Sequence, residues 1–126
     1  MTLNILILDR VGVYPSFISE LESQLGCGVG AFKELRLARD YLGTHSVNLA
    51  VVNPYEDQVG LIEAYVNFVK TDLKQKETPV LIFSRTAVPK ITKMTGLILG
   101  VDYAAYLKKP ASAEDFVKCV RELLED

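Results

Sequence analysis

The segment Asn48-Leu49-Ala50-Val51-Val52-Asn53-Pro54 decides how this chain is read. Four apolar residues in a row, two of them β-branched, stand between an asparagine and an Asn-Pro step. That is the pattern of a short strand buried on both faces. Such a strand needs helices above and below its sheet, and its parallel neighbours need crossover connections. Asn53 then falls at the carboxyl edge, where open α/β sheets assemble their sites.

Working outward, the same grammar repeats. Before the segment, Leu3 to Leu8 reads as a buried strand ended by Asp9-Arg10 and a loop with Gly12. Pro15 and Ser16 open a helix with Phe17, Ile18, Leu21 and Leu25 on one stripe, capped by Gly26. Val29 to Phe32 is a short second strand, and Leu35, Ala38, Tyr41 and Leu42 mark a helix stopped by Gly43. After the segment, a polar loop from Pro54 to Gly60 leads to a helix carrying Ile62, Tyr65, Val66, Val69 and Leu73. Pro79 to Phe83 is the fourth strand, ending at Ser84-Arg85. A fourth helix places Ile91, Met94 and Ile98 on one face, with Gly100 at its end. Tyr103 to Leu107 is the fifth strand, and Lys108-Lys109-Pro110 leads to Ser112-Ala113-Glu114-Asp115, a capping-box-like start. The last helix buries Phe116, Val120, Leu123 and Leu124.

Strand and helix alternate five times, which predicts a parallel sheet covered on both faces. The expected fold is a single-domain, doubly wound (βα)5 flavodoxin-like fold over residues 1–126, with a five-stranded sheet in the order 2-1-3-4-5. A length of 126 residues suits one domain. Hydrophobic content of 49% with 24% charged residues excludes a disordered chain. A net charge of −2 gives no electrostatic case for nucleic acid or an anionic membrane. No apolar run reaches membrane-spanning length. Cys27 and Cys119 form no metal or redox spacing and read as core thiols in a reducing cytoplasm. Gly26-Cys27-Gly28-Val29-Gly30 is glycine-rich but follows a helix and enters a strand, the reverse of a dinucleotide loop. His45 reads as an exposed loop residue.

The strand ends collect Asp9, Asn53, Ser84 and Lys109-Pro110. With this set at those positions, and with Tyr106-Leu107-Lys108-Lys109-Pro110 before a capped helix, the chain resembles the receiver domain of two-component response regulators over its whole length. The resemblance implies that an aspartate ending the third strand accepts a phosphoryl group from a histidine kinase. It implies two acids at the end of the first strand holding Mg²⁺. It also implies a Ser or Thr and a lysine on the phosphoryl oxygens, and an aromatic switch in the fifth strand. Carried over by position, the phosphoacceptor place holds Asn53. The acid pair is Asp9-Arg10, so one acid remains, while Ser84, Lys109 and Tyr106 are retained. The stretch from Ser84 to Lys109 is a few residues longer than is usual for the family.

Three departures bear on chemistry. An amide cannot form an acyl phosphate as a carboxylate does. Arg10 puts a fixed positive charge where a cation would bind. Pro54 removes a backbone N–H beside the acceptor position. Asp9, Arg10 and Lys109 sum to +1, and hard oxygen ligands for Mg²⁺ are nearly gone. The expectation is therefore a non-enzymatic receiver-like signalling domain without a cofactor, not phosphorylated at the usual site and cytoplasmic. It would act by binding a histidine kinase, an output domain or another regulator. Lys109 is expected to pair with Asp9 or to reach the Asn53 side chain.

Blander readings stand beside these: Asp9 as a loop brace, Asn53 as a turn opener, Ser84 bonded only to local backbone, Lys109 as a solvated lysine. One competing function keeps phosphorylation but moves it to Glu56 or Asp57. Another is a haloacid-dehalogenase-like phosphatase, which also uses an Asp ending its first strand but needs a second acid where Val11 stands. The working surface is expected on the fourth helix, fifth strand and fifth helix, a face through which receivers meet partners and which would also serve a homodimer. Val88, Leu97 and Leu99 lie off the stripe of the fourth helix and supply extra apolar surface, and Tyr103 and Tyr106 are candidate interface anchors.

Overall fold

The computed structural model describes residues 3–12, 15–54 and 59–125. Five strands, β1 (Asn4–Leu8), β2 (Gly28–Phe32), β3 (Leu49–Val52), β4 (Val80–Ser84) and β5 (Ala105–Lys108), alternate with five helices. The helices are α1 (Pro15–Leu25), α2 (Leu35–Thr44), α3 (Val59–Asn67), α4 (Val88–Thr95) and α5 (Ala113–Glu125). All strand pairs are parallel, and the sheet runs β2-β1-β3-β4-β5. This is the order expected for the flavodoxin-like fold.

The two faces of the sheet divide the apolar residues by the period of two that strands impose. Leu6, Leu8, Ala50, Val52, Val80 and Ile82 join Ala38, Leu42, Tyr65, Phe68, Val69 and Ile91 in one core. Ile5, Ile7, Leu49, Val51, Leu81 and Phe83 join Phe17, Leu21, Phe116 and Val120 in the other. The central strand β3 is buried along its whole length, as the run Leu-Ala-Val-Val requires. On the α1–α5 side, Phe116 stands 5.2 Å from Phe17 and 5.1 Å from Phe83, ring centre to ring centre. Gly30 on β2 allows the close approach of Tyr41, whose ring would lie 2.6 Å from a Cβ at that position.

Several boundaries differ from the sequence reading. α2 runs through Gly43 to Thr44, and its end is closed by the His45 N–H bonding the Tyr41 carbonyl. The third helix does not keep one period: after Asn67 it widens into a π-helical segment, Phe68–Leu73. Phe68, Val69 and Leu73 are buried in this segment, so Val69 and Leu73 face the core as the stripe predicts and Phe68 joins them. Ser112 caps α5 by accepting the Asp115 N–H at 3.0 Å.

The largest difference lies after β4. α4 ends at Thr95, where Gly96 turns left-handed with φ 76°; Gly100 is not its terminus. Ile98 therefore leaves the helical stripe and is 49% exposed, whereas Leu97 is fully buried. The chain then makes a small turn closed by a bridge between Leu99 and Tyr103, and β5 begins at Ala105 rather than Tyr103. Tyr103 is buried in the core. Leu97 and Tyr103 are thus core residues and not surface anchors, which corrects the sequence reading of both. The reason is the early stop at Gly96: it ends the helical period and swings Leu97 inward.

Candidate functional site

The carboxyl edge of the sheet gathers the strand-end residues. Asp9 follows β1 and is 3% exposed; Asn53 follows β3 and is 5% exposed; Ser84 closes β4 and is 1% exposed. Lys109 follows β5 and is half-buried, with a cis peptide bond to Pro110. The backbone fixes this cluster before the side chains do. The Asp9 N–H bonds the Phe32 carbonyl, the Asn53 N–H the Leu8 carbonyl, and the Lys109 N–H the Ser84 carbonyl, at 3.0, 3.1 and 2.9 Å.

Asp9 is the hub. Its Oδ2 accepts a hydrogen bond from the Lys109 ammonium and forms an ion pair with it. Its Oδ1 accepts the Val11 backbone N–H at 3.0 Å and a longer bond from Asn53 Nδ2 at 3.4 Å. The carboxylate thus braces the β1–α1 loop and also carries a buried charge pair. Lys109 is covered on another side by Phe83, with its Nζ 5.1 Å from the ring centre. A buried charge persists only when it is paired and bonded, and this lysine has both a counterion and an aromatic face.

Ser84 points its polarity at local backbone: its Oγ accepts the Thr86 N–H at 3.1 Å. Tyr106 is half-buried and reaches back over the same loop. Its hydroxyl donates to the Thr86 carbonyl at 2.6 Å, with the Ser84 carbonyl 3.2 Å away. Burial raises the Tyr106 pKa above the ordinary tyrosine value, so the hydroxyl stays a donor. Asp9, Asn53 and Lys109 therefore meet in one bonded cluster, and Ser84 and Tyr106 form a second cluster around the β4–α4 loop. Arg10 follows directly on Asp9 and is half-buried. Val88 is half-buried at the start of α4. Glu56 and Asp57 lie outside the described residues.

No family model matches the sequence, and no curated protein is significantly similar to it. Solved structures are. The chemotaxis response regulator CheY4 of Vibrio cholerae superposes with a TM-score of 0.70 at 17% identity, covering 98% of this chain and 99% of the other. A response regulator from Thermotoga maritima gives a TM-score of 0.74 at 14% identity over the whole of both chains. The receiver domain of the TMAO respiratory system response regulator TorR gives 0.70 at 19% identity, covering 98% and 97%. The fold is that of a response-regulator receiver. At such identities the likeness fixes the architecture, and the chemistry has to be read from the residues themselves.

The receiver fold raises the question of a divalent cation beside Asp9. Among the described residues no group of three or more acidic, histidine or cysteine side chains comes together. The Asp9 carboxylate is already shared among an ammonium, a backbone N–H and an amide. Mg²⁺ requires a near-octahedral shell of hard oxygens, and these residues do not fit it. Among the described residues no helix is long and apolar enough to cross a membrane.

Sequence reasoning missed two parts of the site. The Phe83 ring against Lys109 had no sequence signal beyond a core aromatic one residue before Ser84. The carbonyl acceptors of Tyr106 had none at all, because backbone oxygens carry no residue identity.

Proposed function

We propose that this chain is a signalling receiver in which an internal ion pair has replaced phosphoacceptor chemistry, and that it acts by binding other proteins rather than by catalysis. One observation carries the reading: the Asp9 carboxylate is held by Lys109 while the acceptor position presents an amide, Asn53, that donates to the same carboxylate. An amide is no phosphoryl acceptor. The lysine that would meet a phosphoryl oxygen is neutralised by Asp9. Mg²⁺ is not part of this reading, since its ligands are spent. The partners are a histidine kinase, an output domain or another regulator, and the setting is cytoplasmic. A receiver-modulated diguanylate cyclase of Pelobacter carbinolicus, 20% identical with a TM-score of 0.60, is one such fold tied to an output activity.

The contact face proposed is α4–β5–α5. Met94 and Ile98 are 40% and 49% exposed there, and Tyr106 lies half-buried at its centre. A homodimer through this face is the simplest assembly.

Incubation with a small phosphodonor such as acetyl phosphate, followed by intact-mass analysis, tests the central part. The expected result is an unmodified chain. A stoichiometric phosphoryl adduct that survives in Asn53→Ala and is lost when Glu56 or Asp57 is changed would move the chemistry to that loop and overturn the reading.

A further inference from the structure

Among the described residues, four of the six exposed large apolar side chains lie in one short stretch: Met94, Ile98, Leu99 and Val101, at 40, 49, 45 and 68%. Single exposed apolar residues are ordinary, but a cluster of them marks an interaction surface. We infer that a second copy of this chain docks on the α4–β5 turn, in a two-fold contact centred on Leu99 and Val101. Such a dimer rests on the reading of the chain as a protein-binding module. It differs from the face proposed above in having its centre at the turn and α5 outside it.

The turn is built rather than loose. Gly96 ends α4 with φ 76°, and Leu97 and Tyr103, 0 and 2% exposed, anchor the turn in the core at its two ends. Between them the Val101 and Asp102 N–H groups bond the Ile98 carbonyl at 3.1 and 2.8 Å, and the Gly100 N–H bonds the Tyr103 carbonyl at 2.8 Å. Asp102 Oδ2 accepts the Ile98 N–H at 2.8 Å. These backbone groups are spent within the turn, while its aliphatic side chains face outward. A surface already held in place loses little freedom on docking.

The charges around the turn select the occupant. Lys93 stands in the last turn of α4. Lys70 reaches the start of the turn, with its Nζ 3.8 Å from the place of a Cβ on Gly96. Lys74, Glu77 and Asp102 line the groove beside Val101. These three lysines and two carboxylates surround one apolar centre. A strongly charged partner of either sign, or an anionic lipid surface, would set one of the two signs against its like. A second copy does not. In a two-fold contact residue i meets j and j meets i, so lysines of one copy can face carboxylates of the other on both sides of the axis. Such pairing fixes register and disfavours wrong partners. A contact confined to one turn and one helix end belongs to the small class, under roughly 1,200 Å², so the dimer is weak and reversible.

Sedimentation equilibrium of the whole chain, from micromolar to millimolar concentration, is the test. Wild type should show a reversible monomer–dimer equilibrium. Val101→Glu, at a largely exposed site, should raise the dissociation constant about tenfold or more. Lys118→Glu, on the exposed side of α5, should leave it unchanged. Two charge-changed chains complete the set: Lys70→Glu with Lys93→Glu, and Glu77→Lys with Asp102→Asn, the last retaining an oxygen for the Ile98 N–H. Each alone should dimerise more weakly than wild type, and an equimolar mixture should recover the dimer as the mixed species. A wild type that stays monomeric, association unchanged in Val101→Glu, or a mixture no better than its components would each overturn the inference. Association lost in Lys118→Glu but kept in Val101→Glu would overturn it too, and would return the contact to the α4–β5–α5 face. Failure of the underlying reading shows separately, as a phosphoryl adduct with acetyl phosphate.

Discussion

The two ends of the β4–β5 pair are built on opposite terms. At the carboxyl end, polar side chains are buried and closed on one another: Lys109 on Asp9, Asn53 on Asp9, Ser84 on Thr86, Tyr106 on the Thr86 carbonyl. Along Gly96–Ala104, leading into the amino end, apolar side chains face outward instead: Ile98, Leu99 and Val101 are 49, 45 and 68% exposed. A tyrosine hydroxyl there is buried without a partner among the described residues. The closed end satisfies its polar groups internally; the open end offers surface. On the proposed reading, a receiver without phosphoacceptor chemistry would work through the second, and the first would keep its strand-end cluster stable.

The contrast breaks most visibly at Asp9. Asp9→Ala leaves a lysine whose side chain is only 13% exposed without its counterion. Removing one partner of such a pair costs about 3–5 kcal/mol, to be read as a lower denaturant midpoint at unchanged slope. A loss under about 1 kcal/mol would place the pair among surface ion pairs and end the claim that this edge is locked.

Next in size is the boundary between core and surface inside Gly96–Ala104. Leu97→Ala should cost about 2–5 kcal/mol as a buried leucine, while its neighbour Ile98→Glu should change stability by no more than about 0.5 kcal/mol. Ile98→Glu should nonetheless weaken self-association or partner capture in sedimentation and pull-down. Equal stability losses at the two positions would erase the boundary, and unchanged association in Ile98→Glu and Met94→Glu would remove the face.

The smallest effect concerns Tyr103. Tyr103→Phe deletes a hydroxyl that has no partner among the described residues and should be neutral or stabilising, by up to about 1 kcal/mol. The sign with pH follows from its raised pKa, caused first by burial. Below the ordinary tyrosine value of 10.0 the folded and unfolded chains hold the same proton. Above it the unfolded chain loses that proton first, so stability falls as pH rises through the folded value. Thermal melts between pH 9 and 11 should show Tyr103→Phe losing less than wild type; parallel losses would contradict a buried, proton-bearing Tyr103.

How much of this was legible beforehand varies with the kind of signal. Buried strands announce themselves through runs such as Leu49 to Val52, and the five alternations imply a parallel sheet covered on both faces; its strand order came with the family resemblance. Asp9, Asn53, Ser84 and Lys109 were identifiable because strand ends converge in space in any parallel α/β sheet. Leu97 was misread because one helical period was carried past Gly96, where a left-handed glycine ended the helix. Tyr103 was misread because β5 starts two residues late, after a turn whose closing bridge, Leu99 to Tyr103, has no local sequence mark. The π-helical segment at Phe68–Leu73 escaped because its apolar spacing also fits a regular α-helix.

Isothermal titration with millimolar Mg²⁺, wild type against Asp9→Asn, tests most directly whether Lys109 and Asn53 have taken over the place of a metal-dependent phosphoacceptor. No saturable heat is expected in either protein. Saturable one-to-one binding in the wild type that disappears in Asp9→Asn would contradict it.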